Sequence, residues 1–376
     1  MSSRHDVIVI GGGIAGAAAA CELAATRRVV VLEREQQPGY HSTGRSVAIF
    51  SEIYGSAAIR ALSRVTRPFM TQPPAGFTAG RLLHECGLVF VARQDQLRAL
   101  NKFADTPDVA AITRGLDAAE VLRLLPLLRS GYAAAGLYEP AAAEIDVNAL
   151  HRGYLALMKR RGGQLVTDAD ARRIERRADG WKVFTAAGVF EARTIVNAAG
   201  AWVDEVAALA GVAPVGIEPR RRTAVVVEGP AHFTVAPSPF TVDVAEEFYF
   251  RPEAGRMLVS PADETLMLPC DVQPEELDVA IAIDRLETAT TLQVSRVASK
   301  WAGLRSFVAD RNPVVGYEPD APGFFWLAGQ GGYGIQTSQG MALLASTLIA
   351  DAPVPTALAD AGLQLGDVLP NRLRTS

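Results

Sequence analysis

A short run rich in valine and isoleucine, Asp6-Val-Ile-Val-Ile10, meets Gly11-Gly-Gly13-Ile-Ala-Gly16 with nothing between them. Stiff β-branched side chains favour an extended chain, so the first segment reads as a strand. The alanine-rich residues from Ala15 to Ala25 favour a helix. Arg28 to Leu32 reads as a second strand and ends at Glu33, close to the spacing of about 20 residues at which such units place an acid. Strand, glycine turn, helix, strand and acid in this order leave few folds open. They predict a parallel α/β sheet whose first strand-to-helix turn cradles a phosphate.

Each position has a task. Gly11 permits the tight turn, Gly13 lets the backbone approach a pyrophosphate, and Gly16 lets the helix pack closely on the strand. The helix start offers unpaired N–H groups and a positive dipole end to the phosphates. Glu33 can accept hydrogen bonds from a ribose diol and would repel a 2′-phosphate. That disfavours NADP and leaves NAD or FAD.

Three later stretches favour FAD. Ala192 to Gly200 is a strand running into Asn-Ala-Ala-Gly, with a helix expected from about Trp202, as in flavoprotein disulfide reductases and amine oxidases. Gly39-Tyr-His-Ser-Thr-Gly-Arg-Ser46 is a loop dense in hydrogen-bond donors, where an NAD domain would normally continue into another helix and strand. Near the C-terminus, Phe324 to Ala328 reads as a strand, Gly329 to Gly334 as a loop and Ile335 to Ile349 as a helix. The N–H groups at that helix start are expected to face the pyrimidine end of an isoalloxazine, where charge collects on reduction. The first glycine loop then holds the diphosphate and the second the redox ring of one long cofactor.

A chain of 376 residues suggests two domains. With 49% hydrophobic and 21% charged residues it fits a soluble globular protein. A net charge of −4 and no Lys/Arg-rich block argue against a nucleic-acid partner. Cys21, Cys86 and Cys270 show neither zinc spacing nor a disulfide framework, which points to a reducing cytoplasm and to no metal. Val7–Cys21 has the apolarity of a signal core, but its glycine triplet reads as a turn. Gly323–Ala350 is uncharged, yet glycines and polar residues interrupt it, so no transmembrane segment is expected. Peripheral contact with the inner face of a membrane stays open.

On these stretches, together with DVQPEELD (271–278) and WAGLRSFVAD (301–310), the chain resembles the D-amino-acid oxidase family of FAD enzymes, which includes glycine oxidase. Within that family it most resembles the bacterial D-arginine dehydrogenases. The resemblance implies an α/β fold with a Rossmann-like FAD-binding domain built from separated segments, residues 1–80, 140–215 and 305–376. It also implies an α+β substrate domain with a mixed β-sheet, residues 81–139 and 216–304, and oxidation of a Cα–N bond. FAD contacts are implied from Gly11, Gly13, Ile14, Ala15, Gly16, Glu33 and Arg34, and from His41, Ser42, Thr43, Arg45 and Ser46. Further contacts are implied from Ala171, Ala199, Gly200 and Gly303, and from Gly331, Gly332, Tyr333, Gly334, Ile335 and Gln336.

Carried over residue by residue, Arg222, Tyr249 and Arg305 match the grip on a substrate carboxylate. Tyr54 matches a side-pocket tyrosine, and Gly332 a backbone contact to the substrate amine. Both arginines lie in or beside apolar segments, where a cation needs a partner. That partner is either an anionic substrate or a protein carboxylate. Two positions depart from the D-arginine enzymes. Leu88 stands where a guanidinium-binding acid is expected, and Ile49 where a histidine lies near the flavin. With Phe50 and Tyr54 they predict a less polar side-chain pocket. The expected reaction is oxidative deamination of D-amino acids by hydride transfer from Cα to flavin N5, favouring apolar side chains over D-arginine. An oxidase passing electrons to oxygen, a flavin 2-hydroxy-acid dehydrogenase and a non-catalytic FAD-binding subunit are the alternatives. The electron acceptor, whether quinone, electron-transfer protein or oxygen, is open.

Overall fold

The computed structural model describes residues 3–230 and 238–374. Five strands run parallel in the spatial order Gln164–Val166, Val29–Leu32, Ser3–Ile10, Gly188–Asn197 and Phe324–Ala328. Val29–Leu32 and Phe324–Ala328 are buried at every position, the continuous apolar run of a strand covered on both faces. The first strand starts at Ser3, earlier than its apolar run, and the first helix covers Ile14–Leu23. That helix packs against the helices Val147–Arg160 and Ser338–Ile349.

The register brings the carboxyl ends of these strands level. Ile10 lies opposite both Leu32 and Asn197, Leu32 opposite Val166, and Asn197 opposite Trp326. Gly11–Gly16, Glu33, Ala198–Gly200 and Gly329–Gly334 therefore all leave from one edge. Open parallel sheets bind ligands at that edge. Antiparallel strands, Gly180–Thr185 with Arg173–Arg177 and Val314–Tyr317, extend the sheet.

A second, nine-stranded sheet is mixed. Leu88–Ala92 runs parallel to Phe240–Asp243, while Glu218–Glu228 pairs antiparallel along Arg296–Phe307, with Arg222 opposite Gly303. Side chains alternate between faces along a strand. Val89, Val91, Val225 and Phe250 pack with Val279 and Leu286 of the helix Glu276–Ala289. On the other face Leu88, Phe90, Phe240 and Tyr249 form a separate apolar cluster. A small third sheet joins Ile49–Phe50, Ala143–Ile145 and Leu83–Glu85.

Two elements differ from expectation. The strand Glu218–Glu228 includes Arg222, which therefore lies within a strand and not merely beside an apolar segment. The C-terminal helix starts at Ser338 instead of Ile335. Turns close first: Tyr333 N–H bonds the Gln330 carbonyl at 2.9 Å, and the Thr337 hydroxyl bonds the Tyr333 carbonyl at 2.9 Å. Loop backbone therefore stands where helix N–H groups were expected. No helix among the described residues is long and apolar enough to cross a membrane.

Candidate active site

At the glycine turn, Gly11 has φ +105°, and a Cβ on Gly16 would lie 2.0 Å from the Gly11 carbonyl oxygen. Both positions thus require glycine, for the turn and for the close helix contact. The helix start is tied to the polar loop by the Ile14 N–H, which donates to the Thr43 hydroxyl at 3.0 Å. His151, from the helix Val147–Arg160, buttresses the turn from below by donating to the Gly12 carbonyl at 2.7 Å. Burial lowers the pKa of this imidazole. Nothing in its sequence surroundings marked it.

Glu33 is buried beside this turn. Its carboxylate accepts the Gly12 N–H at 2.7 Å and the Glu35 N–H at 2.9 Å. Burial raises its pKa, and these two backbone donors oppose the shift. A carboxylate has about four acceptor sites, so a ribose diol can still be served. Ala169, Ala171, Gly39, His41, Ala199 and Trp202 line a cavity with Glu33. His41 packs on Trp202 at 4.6 Å and pairs with Glu35 at 2.9 Å, while the Arg34 guanidinium sits 4.9 Å over the same indole.

Gly13, Ser42, Thr43, Ala198 and Gly200 line this cavity and also a second one, so the two form one trough. The second runs past Ile14, Ala15, Arg45, Ser46 and Gly303 to the loop Gly331, Gly332, Gly334, Ile335 and Gln336. The polar loop is held there by its own side chains. Ser42 donates to the Leu304 carbonyl at 2.7 Å, Arg45 to the Val272 carbonyl at 3.0 Å, and Ser46 to the Thr43 carbonyl at 3.0 Å. The trough begins at a ribose acid, passes a phosphate turn and ends in a glycine loop. Its donor set fits a dinucleotide carrying a redox ring.

The far end of the trough holds Arg305, Arg222, Tyr249, Tyr54, Ile49 and Leu88. A Cβ on Gly332 would lie 2.7 Å from the Arg305 guanidinium carbon, so any side chain here would have to displace this cation. The nearest side-chain partner of Arg305 is the Tyr54 hydroxyl at 3.5 Å, and no carboxylate among the described residues pairs with it. Burial opposes its charge, but the Tyr54, Tyr249 and Tyr333 oxygens keep its pKa above the ordinary guanidinium value. Arg222 differs. Its Nε donates to the Asp263 carbonyl at 2.9 Å and its Nη2 pairs with Glu264 at 3.1 Å. Glu264 also binds Arg311 at 2.7 Å. The alternatives for the two arginines thus resolve differently, with a protein carboxylate at Arg222 and none at Arg305.

Three expected residues fall outside the trough. Phe50 follows Ile49 in a two-residue strand and points to the opposite side. It is fully buried under the Arg67 guanidinium, 4.6 Å away, within the helical core. Tyr333 does not line the cavity with its glycine neighbours but packs edge-on against Tyr54 at 4.9 Å. Gly16 serves helix packing and touches neither cavity. Conversely, Phe90, Phe240, Val242 and Gln330 line the substrate end without having been singled out, and Glu246, an acid the sequence offered as an alternative partner for a guanidinium, lines it too. The pairing of Phe240 with Leu88 was their only signal, and it is invisible before the sheet is assembled.

A ribose acid, a phosphate turn, a second glycine loop and a cation at the end of the trough define an FAD-dependent oxidoreductase. A family profile described as FAD dependent oxidoreductase (DAO) matches residues 6–348, and the chain belongs to that family. It is 25% identical to the glycine oxidase of Geobacillus kaustophilus over 369 residues, 93% of this chain and 94% of that one. The crystal structure of glycine oxidase from that organism superposes with a TM-score of 0.82 at 23% identity, over 96% of this chain and 99% of the other. The L-proline dehydrogenase from P. horikoshii gives 0.82 at 20% identity, over 94% and 96%.

Proposed function

We propose that this protein is an FAD-dependent D-amino-acid dehydrogenase that favours apolar side chains over D-arginine. One observation carries the reading. Arg305 is a half-buried cation at the cavity wall, held by tyrosines and paired with no described carboxylate, beside the buried apolar side chains Leu88, Phe240 and Val242. A substrate carboxylate supplies the missing partner, and each charge-assisted contact contributes roughly 1.5–3 kcal/mol. Tyr249 and Tyr54 add hydroxyl donors, Arg222 a guanidinium shared with Glu264, and the Gly332 backbone an acceptor for the amine. FAD held in the trough would supply the redox chemistry, as acceptor for a hydride from Cα of the neutral amine, and water would hydrolyse the resulting imino acid to a keto acid and ammonia. The protein's own part is orientation, exclusion of water and a fixed positive potential.

The preference for D-configuration and the kinship with D-arginine dehydrogenases rest on the quoted motifs. The apolar preference rests on Leu88 and Ile49, which line the cavity where an acid and a histidine were expected. We place the work of the enzyme in the cytoplasm, with a quinone, an electron-transfer protein or oxygen as acceptor. The test is a panel of D- and L-amino acids, glycine, sarcosine and 2-hydroxy acids, assayed by anaerobic dye reduction and again with oxygen alone. Highest kcat/KM on apolar D-amino acids supports the proposal. Highest kcat/KM on a 2-hydroxy acid or an L-amino acid overturns it.

A further inference from the structure

What makes Arg222 and Arg305 unequal is Glu264, which does not itself line the substrate cavity. Arg222 lies opposite Gly303, and Arg305 follows two positions along that partner strand. Strand alternation therefore puts both arginines on one face, as diagonal neighbours about 7–8 Å apart. Both line the cavity. The segment carrying Glu264 is clipped to the strand of Arg222. Arg220 donates to the Glu264 carbonyl at 3.2 Å and the Arg222 Nε to the Asp263 carbonyl at 2.9 Å. The Asp263 carboxylate accepts the Thr223 N–H at 2.6 Å and the Thr223 hydroxyl at 3.0 Å. So held, the Glu264 carboxylate takes Arg311 through both oxygens, at 2.7 and 2.9 Å, and Arg222 through one, at 3.1 Å. Burial opposes its charge, but Arg311, Arg222 and Arg305 hold its pKa below the usual carboxylate value. Glu264 is thus a standing anion placed against one of the two cavity cations.

We propose that Glu264 is a specificity-determining residue that acts through Arg222 and limits the site to ligands with one carboxylate. The inference rests on the carboxylate grip of the proposed reaction. Arg305 has no carboxylate partner among the described residues and takes the first carboxylate of a ligand. A second carboxylate needs a second free cation, because a desolvated anion without a partner is costly. Arg222 is in reach of the same cavity, but its charge is already answered by Glu264. Glu246, which also lines the cavity, adds a negative charge and offers such a group nothing. Removing the charge of Glu264 leaves two free guanidiniums side by side on one face. A ligand with two carboxylates can then use both, and one charge-assisted contact more is worth about 10- to 150-fold in affinity.

The test uses ligands that cannot react as amines. Butyrate and glutarate are titrated calorimetrically into the FAD-bound protein and into its variants. The parent protein should bind butyrate more tightly than glutarate. Glu264→Gln should shift the ratio of the two Kd values about tenfold or more toward glutarate, and Glu264→Asp, which keeps the charge, should stay nearer the parent ratio. Arg311→Met removes the other partner of Glu264 without freeing Arg222, so its ratio should not move toward glutarate. Adding Arg222→Met to Glu264→Gln should cancel the gain. With D-glutamate and D-methionine, Glu264→Gln should change the ratio of kcat/KM in the same direction, through KM. Binding of butyrate with an unmoved ratio in Glu264→Gln overturns this inference and leaves the carboxylate grip standing. A shift in Arg311→Met equal to that in Glu264→Gln assigns the effect to a loosened loop and also overturns it. A parent protein that prefers glutarate overturns it as well, and one that binds neither acid overturns both the inference and the grip.

Discussion

Replacing Arg305 by Met tests the carboxylate grip at its strongest point. The substitution keeps much of the apolar stem and removes the guanidinium. Nothing else among the described residues can take its place, because Arg222 is already shared with Glu264 and Arg311 with the same acid. The substrate carboxylate would then lie in the trough without its main counter-charge. Truncating one side of a buried, hydrogen-bonded charge pair costs about 2–5 kcal/mol. At about 1.4 kcal/mol per tenfold, that is a loss of roughly 30- to 4000-fold in kcat/KM. Arg222→Met should cost less, about 1–3 kcal/mol, since Arg305 remains and Glu264 keeps Arg311 as a partner. The assay is steady-state dye reduction with an apolar D-amino acid and, in parallel, with the amine lacking its carboxylate. The parent protein should act poorly on the amine, and Arg305→Met should narrow the gap between the two compounds. Equal losses at Arg222 and Arg305, or parent activity on the amine matching that on the amino acid, would refute the reasoning.

Other expected outcomes follow from single contacts. Glu33→Ala removes the acceptor for Gly12 N–H and for the ribose, so FAD should dissociate about 10- to 150-fold more readily, measured by ultrafiltration, with substrate ranking unchanged. Leu88→Glu should raise kcat/KM for D-arginine and lower it for D-phenylalanine. If D-arginine is already the better substrate of the parent protein, another acid such as Glu246 reads the guanidinium and the substitution will do little. Glu139 is buried, and burial makes it hold its proton more tightly folded, to a pKa of about 7, than unfolded, at 4.5. Its contribution to stability is therefore fully present below pH 4.5 and is lost as pH rises through about 7, by roughly 3 kcal/mol. Glu139→Gln should accordingly gain on the parent protein in denaturation midpoint at pH 8 but not at pH 4.

The nucleotide-binding half was legible because its signals are local. Strand, glycine turn and helix follow within residues 6–23, and the strand Phe324–Ala328 is found at its expected bounds. The reading of Ile335–Ile349 as helix from its first residue failed because hydrogen bonds from Tyr333 and Thr337 close turns before Ser338. The substrate end was less legible because remote segments build it. Leu88 meets Phe240 and Glu139 only through sheet pairing, and Arg222 meets Glu264 through a loop that turns at Ala262, where φ is +53°. Phe50 was assigned with Ile49, yet strand alternation sends neighbours to opposite sides, and a two-residue strand carries no periodicity to reveal it. His151 sits in ordinary helix sequence, and only burial beside the Gly12 carbonyl gives it a role.

The most direct test of the account is anaerobic mixing of the FAD-bound protein with D-phenylalanine, phenethylamine and the corresponding 2-hydroxy acid, followed by flavin absorbance. The account predicts rapid bleaching by the D-amino acid, little by the amine and little by the hydroxy acid, with the amino-acid rate lost in Arg305→Met. Bleaching by the amine at the amino-acid rate, or by the hydroxy acid in preference to any amino acid on the panel, would contradict it.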